Sequence, residues 1–310
     1  MASKSDWTAA DIPLLTGRRF VITGANSGLG LRTSFALAAH GASVTMTARS
    51  EEKGAAAVAR VKKASGSDDV ELALLDLADL SSVRRFAEER DEPIDVLINN
   101  AGVMAVPEGR TADGFETQFG TNHLGHFALT GLLLPALRGG VDPRVVVLSS
   151  AAHRAGRIDF DNLQSARNYG KWKAYGQSKL ANLLFAREFT RRLLLHGDSL
   201  VVASAHPGFA STNLTSSVNS GLGAIRPVVE RLMQLASQSD SAGALPTLYA
   251  ATAADVRPDE YFGPDGFMEQ KGNPTRVGRT TYAKDDATAQ KLWTVSEELT
   301  GVTYPDLPAT

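Results

Sequence analysis

Short runs of β-branched and other apolar residues recur at 19–23, 43–47, 70–75, 94–99, 144–149 and 200–204, each bounded by turn residues. Most are almost continuously apolar, which marks strands covered on both faces. Between them lie longer stretches, 29–40, 55–63, 81–90, 115–137 and 174–195, whose apolar positions return at helical spacing. Strand and helix alternating in this order predict an α/β fold: a Rossmann-type, doubly wound parallel sheet with helices on both faces. Such sheets bind ligands beyond the carboxyl ends of their strands, so chemistry is expected in the turns that follow each strand.

A chain of 310 residues, 43% of them hydrophobic, can bury one large core and is read as a single domain. No repeat, low-complexity tract or linker divides it, but 212–243 is rich in Ser, Gly, Ala and Leu and reads as a mobile substrate lid. The 32 basic and 34 acidic residues leave a net charge of −2 with no long run of either sign, so nucleic acid is not an expected partner. No stretch reaches the roughly 18 apolar residues of a membrane span, and the first residues lack the apolar core of a secretory signal. A soluble, cytoplasmic protein is expected. The absence of cysteine removes disulfides, thiolate zinc sites and cysteine nucleophiles.

Directly after the first strand stands Thr23-Gly24-Ala25-Asn26-Ser27-Gly28-Leu29-Gly30, opening a helix at Leu29. Glycines there permit a tight turn and close backbone approach to a pyrophosphate, and the helix amino terminus offers unpaired N–H groups to that anion. Gly24, Asn26, Ser27, Gly28, Leu29 and Gly30 are therefore candidate cofactor contacts. The end of the second strand carries Arg49 where a carboxylate would bind a ribose 2′-hydroxyl. A cation there suits a 2′-phosphate, so NADP(H) is favoured over NAD(H), although a strand-end arginine can also be simply solvated. Asp76, followed by Leu77, either accepts a hydrogen bond from an adenine amino group or caps the next helix. Asn100, Ala101 and Gly102 after the fourth strand are small enough for a cofactor to pass, or form an ordinary turn.

Tyr175 and Lys179, four residues apart, project from one face of the predicted helix. A nearby ammonium favours the phenolate, so Lys179 is expected to lower the Tyr175 pKa and let the phenol exchange a proton with a carbonyl oxygen. Ser150, at a strand end, can hold the same oxygen, whereas Ser149 is expected to point the other way. Asn122, an amide inside an amphipathic helix, can anchor a water that relays protons to Lys179. Pro207 and Gly208 follow the sixth strand as a rigid turn. Thr212 beyond them can bond the nicotinamide carboxamide or a phosphate, or serve as a lid hinge. Two rival chemistries are weak. His123 and His126 share a helix face, but no third metal ligand with suitable spacing is evident, and Ser149-Ser150 lacks the Gly-x-Ser-x-Gly elbow of a hydrolase.

Taken in order, the 23–30 loop, Asp76, 99–102, Asn122, Ser150, Tyr175, Lys179 and Pro207-Gly208 resemble the short-chain dehydrogenase/reductase family over nearly the whole chain. The resemblance implies a sheet of about seven strands, the seventh near 260–262, and a catalytic tetrad of Asn122, Ser150, Tyr175 and Lys179. A finer likeness, to the branch of retinol dehydrogenases, WW-domain oxidoreductases and protochlorophyllide reductases, rests on 122–127, 178–182 and the tail around Leu292-Trp293. It makes 157–173 an insertion bordering the substrate pocket. No membrane anchor and no WW module accompany the motifs, so retinoid activity is not carried over. The function implied is hydride transfer between nicotinamide and a carbonyl or alcohol carbon of an apolar small molecule; a dinucleotide-binding redox sensor without turnover is the alternative. The resemblance also suggests a homodimer or homotetramer.

Overall fold

The computed structural model describes residues 6–208, 239–304 and 306–307. Its strands are β1 (Arg19–Ile22), β2 (Ser43–Ala48), β3 (Val70–Leu74), β4 (Val96–Asn99), β5 (Arg144–Leu148), β6 (Val201–Ala205), β7 (Tyr261–Pro264) and β8 (Pro274–Arg276). They form one sheet in the order β3-β2-β1-β4-β5-β6-β7-β8. Strand order reverses between β1 and β4, where Phe20 lies opposite Val44 on one side and Val96 on the other. The crevice in which such sheets hold their ligands opens at that switch. The resemblance implied about seven strands, and the eighth is an addition. β8 returns antiparallel to β7 through the 265–273 loop, a direct link that parallel strands could not use.

Alternate side chains of each strand feed separate cores, as a pleat buried on both faces requires. Phe20, Ile22, Val146 and Leu148 pack with α1 (Gly28–Ala39), α2 (Glu51–Ser65) and, near the end of the chain, the helix Asp240–Thr252. Val21, Leu97, Val145 and Val147 face α3 (Leu80–Glu88) and the helices that follow β4 and β5.

The single helix expected at 115–137 is instead a series of pieces: α4 (Thr117–Phe119), a π-turn at Gly120–Leu124, α5 (Gly125–Leu132) and α6 (Leu134–Arg138). Pro135 sits in the first turn of α6, where its missing N–H costs nothing. After β5, α7 (Lys171–Leu195) supplies the long helix of the second core. α8 (Asp240–Thr252) and α9 (Asp286–Thr300) complete the described helices. Positions 239–243 of the expected lid are the cap and first turn of α8, while 212–238, including Thr212, lie outside the described residues.

Past α9 the chain doubles back. Tyr304 donates its hydroxyl to Phe127 O at 2.7 Å and stacks among Phe127, Phe189 and Trp293, with ring centroids 4.5 to 5.4 Å from its own. One aromatic cluster thereby joins α5, α7 and α9.

Candidate active site

The β1–α1 turn is shaped by close packing. Gly24 has φ +62°, and a Cβ on it would stand 2.8 Å from that of Ala101. A Cβ on Gly30 would meet Gly24 O at 2.7 Å, so neither position tolerates a side chain. Ser27, the cap residue of α1, makes no side-chain bond to the helix, and no acidic residue occupies the first turn. The helix amino terminus therefore keeps its own donors and partial positive charge for an outside anion.

The turn after β4 is tied to this cradle. Asn100 donates Nδ2–H to Thr23 O at 2.7 Å, and Ala101 N–H donates to Thr23 Oγ1 at 2.9 Å. Asn99 points the opposite way, to Thr130 Oγ1. Together these turns enclose a cavity of about 580 Å³ at the strand ends. Among the residues expected to contact cofactor, Gly24, Asn26, Ser27, Gly28, Leu29, Gly30, Arg49, Asp76, Leu77, Asn100, Ala101, Gly102, Tyr175, Lys179 and Pro207 all border it. Gly208, with φ +68°, lies beside the wall without lining it, its N–H bonded to His206 Nδ1.

Two alternatives left by the sequence resolve differently. α3 is capped by Asp79, which accepts from Ser81 N and Ser82 N, so Asp76 is not a helix cap. Among the described residues Asp76 Oδ1 accepts only the local Ala78 N–H, leaving further lone pairs on a carboxylate at the cavity wall. Arg49 is exposed at the end of β2 and makes no ion pair among the described residues.

Tyr175 and Lys179 stand on one face of α7, with Lys179 Nζ 5.8 Å from the centre of the phenol ring. Only 8% of Tyr175 and 5% of Lys179 is exposed. Burial lowers the Lys179 pKa to about 8. Burial also raises that of Tyr175, while the Ser150 hydroxyl beside the phenol pulls it back down. The lowering expected from Lys179 is thus corrected: desolvation wins in the protein by itself, and the hydroxyl that opposes it belongs to Ser150. Ser149 borders the cavity but spends its hydroxyl on Lys179 O at 2.8 Å, as its opposite orientation implied.

Asn122 lies in the π-turn. Its side chain is fully engaged, accepting from Val103 N at 2.8 Å and donating to Val103 O and Ser178 Oγ, both at 2.9 Å. These bonds fix the 103–106 loop, whose Val103, Met104 and Val106 supply an apolar wall that the sequence reading did not single out. The 157–173 insertion braces the same loop: Tyr169 donates to Val106 O at 2.9 Å, and Gln118 bonds both Tyr169 Oη and Lys171 O. The only available signal was the apolar run just past Gly102.

His123 and His126 turn to different partners. His123 Nε2 meets Ser296 Oγ at 2.9 Å among the Phe119, Phe127 and Phe185 rings, and His126 reaches Thr23 and Asn122. Burial lowers the pKa to about 3 for His123 and to about 4 for His126 and for His153. Unfolded histidines take up protons below about pH 6.5 while these stay neutral, so stability is lost as pH falls through that range. At pH 5 the loss is on the order of 1–2 kcal/mol per ring, and urea midpoints should drop steadily between pH 7 and 4.5. A midpoint constant across that interval would contradict the neutral buried rings.

A glycine-lined cradle at the switch of a parallel sheet thus stands beside a buried Tyr–Lys pair in one cavity. The chain belongs to the short chain dehydrogenase family, whose model matches residues 18–223. It is 40% identical over 295 residues to retinol dehydrogenase 12 of Mus musculus, covering 94% of this chain and 88% of that protein. It is 38% identical over 299 residues to polyprenol dehydrogenase of Danio rerio, covering 94% and 89%. Among solved structures, an uncharacterized protein from Mycobacterium paratuberculosis is 46% identical, with a TM-score of 0.82 over 97% of this chain and 100% of that one. No helix among the described residues is long and apolar enough to cross a membrane. Membership of the family and this fold together make the chain an NAD(P)-dependent oxidoreductase.

Proposed function

We propose that the protein is an NADP(H)-dependent reductase or dehydrogenase of apolar carbonyl or alcohol substrates, with Tyr175 as the proton donor and acceptor. The observation that carries this reading is a single cavity bordered by the α1 amino terminus, Arg49, which makes no ion pair among the described residues, and the Tyr175–Lys179 pair. When bound, nicotinamide supplies or takes up the hydride. The rest falls to side chains. The α1 donors would hold the pyrophosphate, Arg49 the 2′-phosphate, and Asp76 the adenine amino group. Ser150 and Tyr175, hydroxyl beside hydroxyl, would hold the substrate oxygen. As the carbonyl carbon is reduced, Tyr175 Oη gives its proton to that oxygen, and the Lys179 ammonium stabilises the phenolate left behind. In the oxidative direction the same phenolate takes the proton back.

An apolar substrate is supported by the Met104 and Val106 wall and by Trp172, which is 52% exposed one turn before Tyr175, its ring 6.3 Å from the phenol. The relatives named for retinol and polyprenol, both long apolar alcohols, point the same way. Purified protein incubated with NADPH and a panel of aldehydes and ketones should consume the cofactor, fastest with the larger apolar carbonyls. Silence across the panel from protein that binds NADPH would exclude the proposal. Trp172→Ala should raise KM for a large apolar carbonyl about tenfold, the value of one buried aromatic contact, with little change for acetaldehyde. Equal effects on both substrates would show that Trp172 does not contact the apolar part of the substrate.

A further inference from the structure

His126 is buried and lies outside the four residues assigned to proton handling, yet both ring nitrogens are spent. Nδ1 lies 3.0 Å from Asn122 O, and Nε2 lies 2.8 Å from Thr23 Oγ1. A backbone carbonyl can only accept, so Nδ1 carries the proton and Nε2 is the bare acceptor; the single Thr23 hydroxyl proton goes to Nε2 at 2.8 Å in preference to Ile98 O at 3.4 Å. The hydroxyl of Thr23 in turn accepts Ala101 N–H at 2.9 Å. One hydrogen-bond chain with a fixed direction therefore runs Ala101 N–H, Thr23 O–H, His126 ring, Asn122 carbonyl.

Its ends differ in purpose. Thr23 and Ala101 begin the two turns that form the cofactor cradle. Asn122 sits in the π-turn, where the regular helical ladder is broken, and its side-chain oxygen and Lys179 Nζ both crowd the same spot beside Gly102. We infer that His126 is a positioning residue that couples the cofactor cradle to the proton-handling helix, setting Thr23 through Nε2 and the Asn122 carbonyl through Nδ1. The role rests on the reaction proposed above. The ring suits it because burial keeps it neutral, and the Lys179 charge nearby acts in the same direction.

Two substitutions cut the chain at opposite ends. His126→Asn keeps a donor where Nδ1 stands and loses Thr23; His126→Gln reaches Thr23 and loses the Asn122 carbonyl. The first should weaken NADPH binding by up to about tenfold with kcat at saturating cofactor little changed. The second should lower kcat by a similar factor with NADPH affinity retained. Thr23→Val, which removes the hydroxyl in an equal volume, should weaken NADPH binding in the native background and add nothing to His126→Asn. Equal losses in both parameters for both variants, additive Thr23→Val, or no effect would reduce His126 to packing. If a variant does not fold, the ¹⁵N spectrum of histidine-labelled native protein decides: a neutral ring protonated on Nδ1 supports the inference, and one protonated on Nε2 overturns it. That spectrum and the NADPH titration need no turnover, so an inactive native protein would remove the proposed reaction while still leaving His126 to be judged.

Discussion

Tyr175→Phe should lower kcat for carbonyl reduction by about 10²- to 10⁴-fold, the usual contribution of a positioned proton donor, while the Kd for NADPH stays within about twofold. The ring keeps its place in α7 and its volume, so the fold has no reason to respond. Retained turnover would remove Tyr175 from the chemistry. A linked pH profile tests its neighbour. Lys179, with its pKa near 8, is an ammonium below that pH and neutral above it. Only the ammonium stabilises the phenolate formed as Tyr175 gives up its proton, so the reduction rate should be level at neutral pH and fall as pH rises through about 8. Lys179→Met should slow the enzyme at neutral pH and abolish that step. A native profile that rises through pH 8 would reverse the assigned roles.

Arg49→Asp should weaken NADPH binding by about ten- to a hundredfold, the loss of charge-assisted bonds to a phosphate plus the repulsion of a new carboxylate. NADH carries no 2′-phosphate, and the introduced carboxylate can accept its ribose hydroxyl, so affinity for NADH should hold or improve. Cofactor titration by nicotinamide fluorescence would show the two curves crossing. If both affinities fall together, Arg49 contributes only general charge and the NADP(H) preference fails. Arg49 is well suited to the experiment because it makes no ion pair among the described residues, so its removal strands no carboxylate.

Elements fed by continuous apolar runs were legible in the sequence. The first six strands fall within one or two residues of the runs that announced them, and Tyr175 and Lys179 lie on one helix face as a four-residue spacing demands. What escaped has physical causes. The π-turn at Gly120–Leu124 is a one-residue insertion that leaves apolar spacing almost unchanged, so 115–137 read as unbroken helix. Expected α2, at 55–63, proved longer at both ends because Ser50 caps it and Gly66 closes it in the left-handed conformation. α8 was obscured by Pro246 within a small-residue stretch, and α9 by exposed polar positions. At the site, Asp79 rather than Asp76 turned out to cap α3, a choice three residues apart that composition alone does not separate. His126 was weighed only as a metal ligand, because its partners, Thr23 and the Asn122 carbonyl, are defined by the fold and by a backbone atom that no sequence displays.

Tyr304, bonded to Phe127 across 177 positions of sequence, has a consequence for the order of events in the making of the protein. Chains emerge from the ribosome amino end first, and contacts this distant in sequence close late. The strands around the β1–α1 turn and α1 can assemble while synthesis continues, but α5 and α7, which carry Phe127 and Phe189, wait for their last aromatic partner. The nascent chain can thus shape the β1–α1 turn before Tyr304 and Trp293 arrive to complete the aromatic cluster that joins α5, α7 and α9.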